Sequence, residues 1–293
     1  MRVYIDGSAG TTGLVLEDRL SGLKNIHLIK PDSRLRKDIE TRRACLNEAD
    51  VAFLCLPDDA AREAVSLTDN PDTVIIDAST AHRISPDWAY GFPELSAKHL
   101  DKIKGSNRIA VPGCHATGFA ALVYPAIQGG YIRPDEIVYC HSLTGYSGGG
   151  KALIAEHENS SVSAAKPYAL GLNHKHLPEM QFVCGLQYPP VFTPILINTY
   201  KGMIVNIPLG HTNAKDTWEF FYDYYKNAAT VSIMPFMEGA DLPLEGMNGS
   251  DDLEIYVFGN ENQTVLSARF DNLGKGSSGA AVQCMKVRMG YEF

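Results

Sequence analysis

The sequence contains no long apolar run, no block of basic residues and no closely spaced cysteine pair. Of its 293 residues, 45% are hydrophobic and 20% are charged, yet nowhere do about 18 apolar residues follow one another uncharged, as a membrane-spanning helix requires. No basic segment followed by an apolar stretch opens the chain, as a secretory signal would. We therefore expect a soluble, cytoplasmic protein long enough for two domains.

Acidic residues outnumber basic ones, 34 against 26, which gives a formal net charge of -8. Without a cluster of lysine and arginine to bind phosphates, we expect a small-molecule ligand rather than nucleic acid or a membrane. The cysteines form no C-x-x-C pair and show no metal-ligand spacing, so we expect no bound metal. Mostly reduced, buried thiols are expected at Cys45, Cys55, Cys114, Cys140, Cys184 and Cys284.

The first third of the chain alternates between short apolar runs and longer helical patterns. Strand-helix-strand repetition is typical of parallel strands joined by right-handed crossovers, and it predicts a Rossmann-type, doubly wound parallel sheet in an α/β fold. The predicted strands are 2–5, 26–29, 51–55 and 74–76, and the predicted helices are 12–20, 37–47 and 59–67.

Beyond Cys114 the strand-like runs have fewer helices between them. This texture favours an α+β domain with a mixed or antiparallel sheet, whose predicted strands lie within 136–142, 191–197, 203–207 and 255–258. We expect a cofactor-binding domain at residues 1–114, completed by a returning C-terminal helix within 272–293. A substrate domain is expected at residues 115–271.

A glycine-rich turn, DGSAGTTG at residues 6–13, separates the first strand from the first helix. Its G-x-x-G-x-x-G spacing has alanine where the commoner dinucleotide motif has its middle glycine. Small residues here let backbone N–H groups approach a pyrophosphate at a helix N-terminus, although a plain strand-to-helix turn is the alternative. The candidate cofactor contacts are Gly7, Ala9, Gly10, Thr11, Thr12 and Gly13.

The segment after the second strand bears on which dinucleotide binds. An acidic residue directly at the end of that strand would favour NAD, whereas basic and hydroxyl side chains could hold the 2'-phosphate of NADP. NADP(H) is therefore the predicted cofactor, although Asp32 keeps NAD open and a solvated basic loop is the simpler alternative. The candidate phosphate contacts are Lys30, Ser33, Arg34 and Arg36.

Cys114 follows a Pro-Gly turn and precedes an apolar helical run at 119–124. At a helix N-terminus, unsatisfied N–H groups and the helix dipole favour a thiolate, and such sites lower a thiol pKa from about 8.5 to roughly 3.5–7.5. Cys114 is therefore the candidate nucleophile, and a buried packing thiol is the alternative.

The acid-base partner is expected from the motif NHKHLPE at 173–179. His174 and His176 offer imidazoles to the sulfur, and Glu179 offers a carboxylate to orient a ring. His115 is the weaker candidate because neighbouring residues at a helix start point in different directions. Zinc would need a third or fourth ligand, which no recognisable spacing supplies; ordinary surface histidines are a further alternative.

Three more stretches are rich in residues that bind anions. Arg83 ends a hydroxyl-rich segment after a predicted strand, at the sheet edge where ligands bind in open α/β folds. Ser142 and Lys151 bound a glycine-rich stretch suited to a phosphate or carboxylate, unless it is simply a mobile surface loop. Asn272 and Gly274 belong to a similar stretch before the last helix and are candidate cofactor contacts.

A nicotinamide cofactor, a reactive thiol and anion sites together suggest one reaction. A thiolate attacks an acyl phosphate, phosphate leaves, and a hydride from NADPH reduces the thioester to an aldehyde.

The same segments resemble the N-acetyl-gamma-glutamyl-phosphate reductase family of arginine biosynthesis, in its shorter form. Aspartate-semialdehyde dehydrogenase and glyceraldehyde-3-phosphate dehydrogenase share the chemistry, but the segments at 173–180 and 271–283 fit those two families worse. The family often has tyrosine where this chain has His115. The resemblance spans nearly the whole chain and is carried by residues 5–13, 75–83, 90–95, 111–118, 142–151, 173–180 and 271–283.

The resemblance implies conversion of N-acetyl-glutamyl 5-phosphate and NADPH to N-acetyl-glutamate 5-semialdehyde, NADP and phosphate. It also implies a homo-oligomer, commonly a tetramer, whose interface lies in the substrate domain. The close alternative is the reductase of an N-modified aminoadipyl phosphate in lysine synthesis, because one methylene is worth only about 1–3 kcal/mol in a pocket. The implied nucleophile is Cys114, the acid-base and positioning groups are His174 and His176, and the substrate contacts are Arg83, Ser142 and Lys151.

Overall fold

A computed structural model describes residues 1–159, 164–237, 239 and 241–291. The chain divides into two compact units, the first formed by Met1–Pro112 with Ser277–Phe293 and the second by Gly113–Gly276.

The first unit is built on a six-stranded, all-parallel sheet in the order β2-β1-β3-β4-β6-β5. Its strands are β1 (Arg2–Asp6), β2 (His27–Ile29), β3 (Val51–Leu54), β4 (Val74–Asp77), β5 (Ala89–Tyr90) and β6 (Arg108–Ala110). Its helices are α1 (Thr11–Ser21), α2 (Ile39–Glu48), α3 (Asp58–Leu67), α4 (Ala97–Gly105) and α9 (Gly279–Met289).

Alternate residues of the central strands enter two separate cores, because successive side chains of a strand point to opposite faces. Val3 and Phe53 pack with α1 and the C-terminal helix α9 on one face. Tyr4 and Leu54 pack with α2 and α3 on the other. The predicted doubly wound sheet is therefore confirmed, and the last helix, α9, packs on the first unit.

The second unit is built on a seven-stranded mixed sheet in the order β11-β12-β13-β10-β7-β9-β8. Its strands are β7 (Tyr139–Thr144), β8 (Lys166–Pro167), β9 (Val191–Leu196), β10 (Met203–Gly210), β11 (Val231–Ile233), β12 (Leu253–Gly259) and β13 (Gln263–Phe270). Its helices are α5 (Cys114–Gln128), α6 (Gly150–Asn159), α7 (Leu177–Cys184) and α8 (Ala214–Tyr225). The predicted mixed sheet is confirmed.

Helix α5 lies on the centre of this sheet at a glycine. A Cβ on Gly118 would lie 2.5 Å from Cγ2 of Val205 and 2.8 Å from Cε1 of Phe270. The missing side chain therefore allows the helix backbone to approach β10 and β13 closely, which fixes where the first turn of α5 lies.

We expect Gly118→Ala to lower the stability of the protein, because a buried methyl group in a packed site costs about 1–3 kcal/mol. The measurement is the midpoint of thermal unfolding. Gly105→Ala is the matched control, since nothing lies within 4 Å of its Cβ and alanine is favoured over glycine in a helix by about 1 kcal/mol. Equal midpoints for the two variants would contradict the close approach of α5 to the sheet.

Candidate active site and cofactor turn

Two glycines of the turn after β1 have no room for a side chain. Gly7 has a φ of +89°, and a Cβ there would lie 2.3 Å from the carbonyl oxygen of Cys55. A Cβ on Gly13 would lie 2.4 Å from the carbonyl oxygen of Gly7. The turn is held by a 3.0 Å hydrogen bond from the Gly10 N–H to Gly7. Thr11, Thr12 and Gly13 form the first turn of α1. Because Gly7 and Gly13 have no side chains, neither residue covers the N-terminus of this helix.

A cavity of about 620 Å³ adjoins this turn within the first unit. Three of the residues predicted to contact the cofactor phosphate line it: Ser33, Arg36 and Lys30, whose ammonium group also pairs with Glu17. Arg34 is not among the lining residues, because its guanidinium pairs with Asp32 at 2.7 Å. Lys37, which sequence reasoning missed, lines the cavity instead. It follows a serine and two arginines in the same basic segment, so the spacing alone could have indicated it.

A buried ion pair closes the base of the same cavity. Asp6, at the end of β1, accepts a 3.0 Å hydrogen bond from Nε of Arg42, and that guanidinium also pairs with Glu63. Burial raises the pKa of Asp6, and the charge and hydrogen bonds of Arg42 oppose the rise. Both side chains line the cavity, so the arginine neutralises an acid that would otherwise repel a phosphate.

Cys114 is the first residue of α5, with Gly113 as its N-cap. The helix therefore begins five residues before the apolar run that marked it in the sequence. The Gly113 carbonyl accepts from the Thr117 N–H at 2.8 Å, and its N–H donates to Oε1 of Glu179 at 2.8 Å. A Cβ on Gly276 would lie 3.0 Å from that of Cys114. The sulfur thus sits where the helix dipole favours an anion.

The Glu179 carboxylate anchors the turn before the cysteine. The sequence predicts that this carboxylate orients a histidine ring, and its Oε1 accepts a hydrogen bond from the Gly113 backbone N–H. Because Glu179 belongs to the first turn of α7, this bond links the histidine motif to the cysteine segment.

Three histidine rings lie together beside this turn. His115 is centred 5.3 Å from His174 and 5.7 Å from His176, and the latter two are 4.7 Å apart. The two predicted segments therefore meet in the fold. Burial, with smaller effects from His174 and Lys175, lowers the pKa of His115 to about 3.

The tautomer of His174 follows from one contact. Its Nδ1 lies 3.1 Å from the backbone N–H of His176, which donates to it. Burial, with a smaller effect from Lys175, lowers the pKa of His174 to about 4. A neutral ring that accepts at Nδ1 carries its proton on Nε2, so His174 is a hydrogen-bond donor at neutral pH.

Tyr168 is a site residue that sequence reasoning missed. Its hydroxyl lies 2.9 Å from Nε2 of His115, whose Nδ1 lies 2.8 Å from Oγ of Ser142. Burial is the larger cause, and the electrostatic effect of Cys114 the smaller one, that raises the pKa of Tyr168. A lone tyrosine outside any motif gives no signal in a single sequence.

Two further residues that the sequence predicts as ligand contacts, Arg83 and Asn272, form hydrogen bonds with groups of the protein itself. Arg83 donates to the carbonyl oxygens of Val111 and Ala78, each at 2.9 Å. Asn272 accepts from the Gly202 N–H and donates to Oγ of Ser147.

In the glycine-rich stretches, Gly274 and Lys275 are closely surrounded by other atoms, whereas Lys151 is exposed. Lys275 is 1% exposed and donates to Oγ1 of Thr230 at 2.7 Å. A Cβ on Gly274 would lie 2.0 Å from the Ser250 carbonyl oxygen. Lys151, in the first turn of α6, is exposed.

The six cysteines are free thiols. Within the described ranges, no three His, Cys, Asp or Glu side chains are grouped to hold a metal ion. Among those same residues, no helix combines the length and apolar character needed to cross a membrane.

The neutral state of buried His115 predicts a pH-dependent stability. Its pKa is about 3 when folded against an ordinary 6.5, so between these values the unfolded chain binds a proton that the folded chain does not. The free energy of unfolding therefore falls as the pH drops through 6.5 towards 3, by up to about 1.4 kcal/mol per pH unit from this group.

Urea unfolding at several pH values between 4 and 6.5 measures this slope. We expect a shallower slope for His115→Gln than for the wild type. His27→Gln, at an exposed position of β2, is the matched control and should keep the wild-type slope. Identical slopes in all three proteins would contradict a neutral, buried His115.

Two domain families match the chain. Residues 22–103 match the NAD binding domain of semialdehyde dehydrogenases, and residues 114–272 match their dimerisation domain. Aspartate semialdehyde dehydrogenase II from Vibrio cholerae has a similar structure, with a TM-score of 0.74 and 16% identity over 100% of this chain and 99% of that one. At this identity the likeness shows the fold alone.

Closer relatives carry one name. N-acetyl-gamma-glutamyl-phosphate reductase 2 of Pseudomonas putida is 41% identical over 98% of this chain and 96% of its own length. The protein with the same name in Nostoc is 39% identical over 99% of this chain and 97% of its own length. The resemblance seen in the motifs is thus confirmed along the whole sequence. The chain belongs to the N-acetyl-gamma-glutamyl-phosphate reductase family.

Proposed function

We propose that the protein converts N-acetyl-glutamyl 5-phosphate and NADPH to N-acetyl-glutamate 5-semialdehyde, NADP and phosphate, a step of arginine biosynthesis. The observation that carries this proposal is the position of Cys114 as the first residue of α5, with the histidine cluster beside its turn. The names of the relatives support the glutamyl substrate over the aminoadipyl one.

The cofactor is NADP(H), bound by the first unit. The glycine turn leaves space at the N-terminus of α1, and four basic residues line the adjoining cavity: Lys30, Arg36, Lys37 and Arg42, the last of them paired with Asp6. This donor set suits a dinucleotide that carries an extra phosphate, and the bound cofactor supplies the hydride. We assign residues 1–114, with 272–293, to cofactor binding and 115–271 to catalysis and oligomerisation; Asn272 and Gly274 remain proposed cofactor contacts.

Cys114 forms the covalent intermediate. Its thiolate attacks the acyl carbon, a C–S bond forms, and the C–O bond to phosphate breaks with its electron pair leaving on phosphate. After reduction of the thioester carbon, the oxyanion re-forms a carbonyl and expels the thiolate. The leaving phosphate takes up one proton, ultimately from solvent, whereas the aldehyde oxygen takes up none, so that oxygen needs only a hydrogen-bond donor.

His174 is the donor that fits this need. Its Nε2–H is available because Nδ1 accepts from the backbone, and its low pKa keeps the ring neutral. A neutral imidazole polarises a carbonyl without offering a proton too readily. We assign deprotonation of the Cys114 thiol to His176, which is 4% exposed in the same cluster. Glu179 holds the Gly113 turn in place.

The substrate's charged groups are recognised by cationic side chains. Lys151 is exposed at the start of α6 and can reach a phosphate or carboxylate. Arg83 offers a second cation, although two carbonyls already fix its guanidinium. Ser142 is the third predicted contact, and its hydroxyl is engaged with His115.

We further propose that the protein is a cytoplasmic homo-tetramer. The second unit matches a dimerisation domain, and one face of its sheet is covered by α5 and α8. On the other face, Tyr139 and Val265 are 53% and 38% exposed. Apolar side chains on an open sheet face favour burial against a second copy of the chain.

Phosphate-dependent reduction of NADP, with N-acetyl-glutamate 5-semialdehyde as substrate, tests the reaction in reverse. We expect the nicotinamide absorbance to rise with the wild type and the rate to fall by at least about 10³-fold in Cys114→Ser, since the nucleophile is lost. Cys45→Ala removes a buried thiol of α2 and should keep the rate.

Two outcomes would count against the proposal. A folded wild type that binds NADP but reduces it only with the aminoadipyl semialdehyde would show the longer substrate. An unaltered rate in Cys114→Ser would remove the thioester step.

Cofactor preference is tested at two neighbouring arginines. We expect Arg36→Ala to raise the KM for NADPH about 10-fold or more, because a charge-assisted hydrogen bond contributes about 1.5–3 kcal/mol, and to leave the KM for NADH unchanged. Arg34→Ala is the matched control, since Arg34 pairs with Asp32 and does not line the cavity. An equal loss in both variants would show that this cavity does not select the 2'-phosphate.

A further inference from the structure

Four of the six charged residues that line the cavity beside the glycine turn form ion pairs with each other. Oδ2 of Asp6 lies 3.0 Å from Nε of Arg42, and Oε1 of Glu17 lies 2.5 Å from Nζ of Lys30. In each pair an acid from the wall of the cavity neutralises a base from the same wall. Neither pair therefore adds a net positive charge to the cavity.

The other two charged residues of the cavity, Arg36 and Lys37, are both basic. Both are exposed in the segment between β2 and α2. Within the described ranges, neither side chain forms an ion pair or a hydrogen bond. Two uncompensated positive charges match a phosphate dianion, which accepts several charge-assisted hydrogen bonds. The charge that distinguishes a 2'-phosphate from a ribose hydroxyl therefore belongs to Arg36 and Lys37.

The pair between Lys30 and Glu17 affects ligand binding more than it affects folding. Lys30 is the first residue after β2, and Glu17 belongs to α1, the helix that begins at the glycine turn. The two side chains are 63% and 33% exposed, and ion pairs at such exposed positions contribute little to stability. The Glu17 carboxylate nevertheless lies in the wall of the cavity, where it attracts the lysine ammonium and repels a phosphate.

We propose that Glu17 is a specificity-determining residue which, by neutralising Lys30, limits the positive charge offered to the 2'-phosphate to that of Arg36 and Lys37. This proposal rests on NADP(H) as the cofactor under the proposed function, and it assigns to one residue of the cavity a role opposed to binding. The product NADP must leave before the next turnover, and product release sets the rate of many enzymes. A cavity of limited positive charge therefore favours turnover.

Adenosine 2',5'-bisphosphate and adenosine 5'-monophosphate test the proposal without any reaction, because the two probes differ only in the 2'-phosphate. Isothermal titration calorimetry of the full chain at low ionic strength gives a Kd for each. The Kd of the monophosphate divided by that of the bisphosphate measures recognition of the 2'-phosphate. We expect Glu17→Gln to raise this ratio at least about threefold, because a negative charge near the phosphate is removed. The gain should shrink in roughly 1 M salt, which screens exposed charges.

Two lysine variants separate an uncompensated cation from a neutralised one. We expect Lys37→Met to lower the ratio about tenfold, because a charge-assisted hydrogen bond is lost. Lys30→Met should lower it less than about twofold, since Glu17 already neutralises that ammonium. In the Glu17→Gln background Lys30 has lost this counter-ion, and adding Lys30→Met should then abolish the gain.

Asp18→Asn is the matched control for Glu17→Gln. Asp18 is an exposed acid next to Glu17 on α1, and it does not line the cavity. Its substitution changes the net charge of the protein by the same amount and should leave the ratio unchanged. Circular dichroism establishes that each variant is folded.

Three results would overturn the proposal. A lower ratio in Glu17→Gln would show that Glu17 orients Lys30 for the phosphate. A loss in Lys30→Met as large as that in Lys37→Met would show that Lys30 is not neutralised. An equal gain in Asp18→Asn would show an effect of the protein's net charge alone.

Failure of the proposed function gives different results. Equal Kd values for the two probes in the wild type would reject NADP as the preferred cofactor, and this inference with it. Because the probes carry no acyl phosphate, failure of the reductase assay with the expected ratios would reject the substrate and leave the role of Glu17 standing.

Discussion

The hydrogen bond from the Gly113 N–H to the Glu179 carboxylate fixes the geometry on which the rest of the site depends. Gly113 caps α5, so the carboxylate bound to its N–H fixes where the helix begins. It thereby also fixes the backbone position from which the Cys114 side chain extends. Since Glu179 lies in the first turn of α7, the same bond holds the end of the histidine motif against the cysteine. Gly276 leaves room for Cys114 in this position, because a Cβ on Gly276 would lie 3.0 Å from the Cβ of Cys114.

The first unit was largely predictable because its parallel strands are buried on both faces. Such strands read as continuous apolar runs bounded by turns, and β1, β3 and β4 begin at the predicted residues. The second unit was harder to predict. Strand β13 does not alternate regularly, since Leu266, Ser267 and Ala268 are all buried. It pairs with both β10 and β12, and such long-range pairing is not visible in the local sequence.

The candidate site likewise combines residues that lie in recognisable sequence motifs with residues that only the fold brings beside them. Motif chemistry was sufficient to propose Cys114 and His174 as candidates, because a helix start after Pro-Gly and two spaced imidazoles are visible in the sequence. It could not supply Tyr168, whose relevance arises only from its contact with His115. The residue type of Glu179 was informative, but the group that it contacts depends on how α7 meets the turn.

Whether the groups beside a thiolate are neutral or charged affects both the pKa of the thiol and the nucleophilicity of the sulfur. A thiolate paired with an imidazolium has a very low pKa, and intrinsic nucleophilicity falls as the thiol pKa falls. Burial keeps His115 and His174 uncharged, so under the proposed function these two rings place no positive charge beside the Cys114 anion, and the dipole of α5 contributes to its stabilisation. Dipoles of this kind favour the anion less than a full charge would, and they leave the sulfur more electron-rich for attack on an acyl phosphate. In the proposed mechanism the neutral His174 ring then serves as donor to the acyl oxygen once charge has moved there from the sulfur.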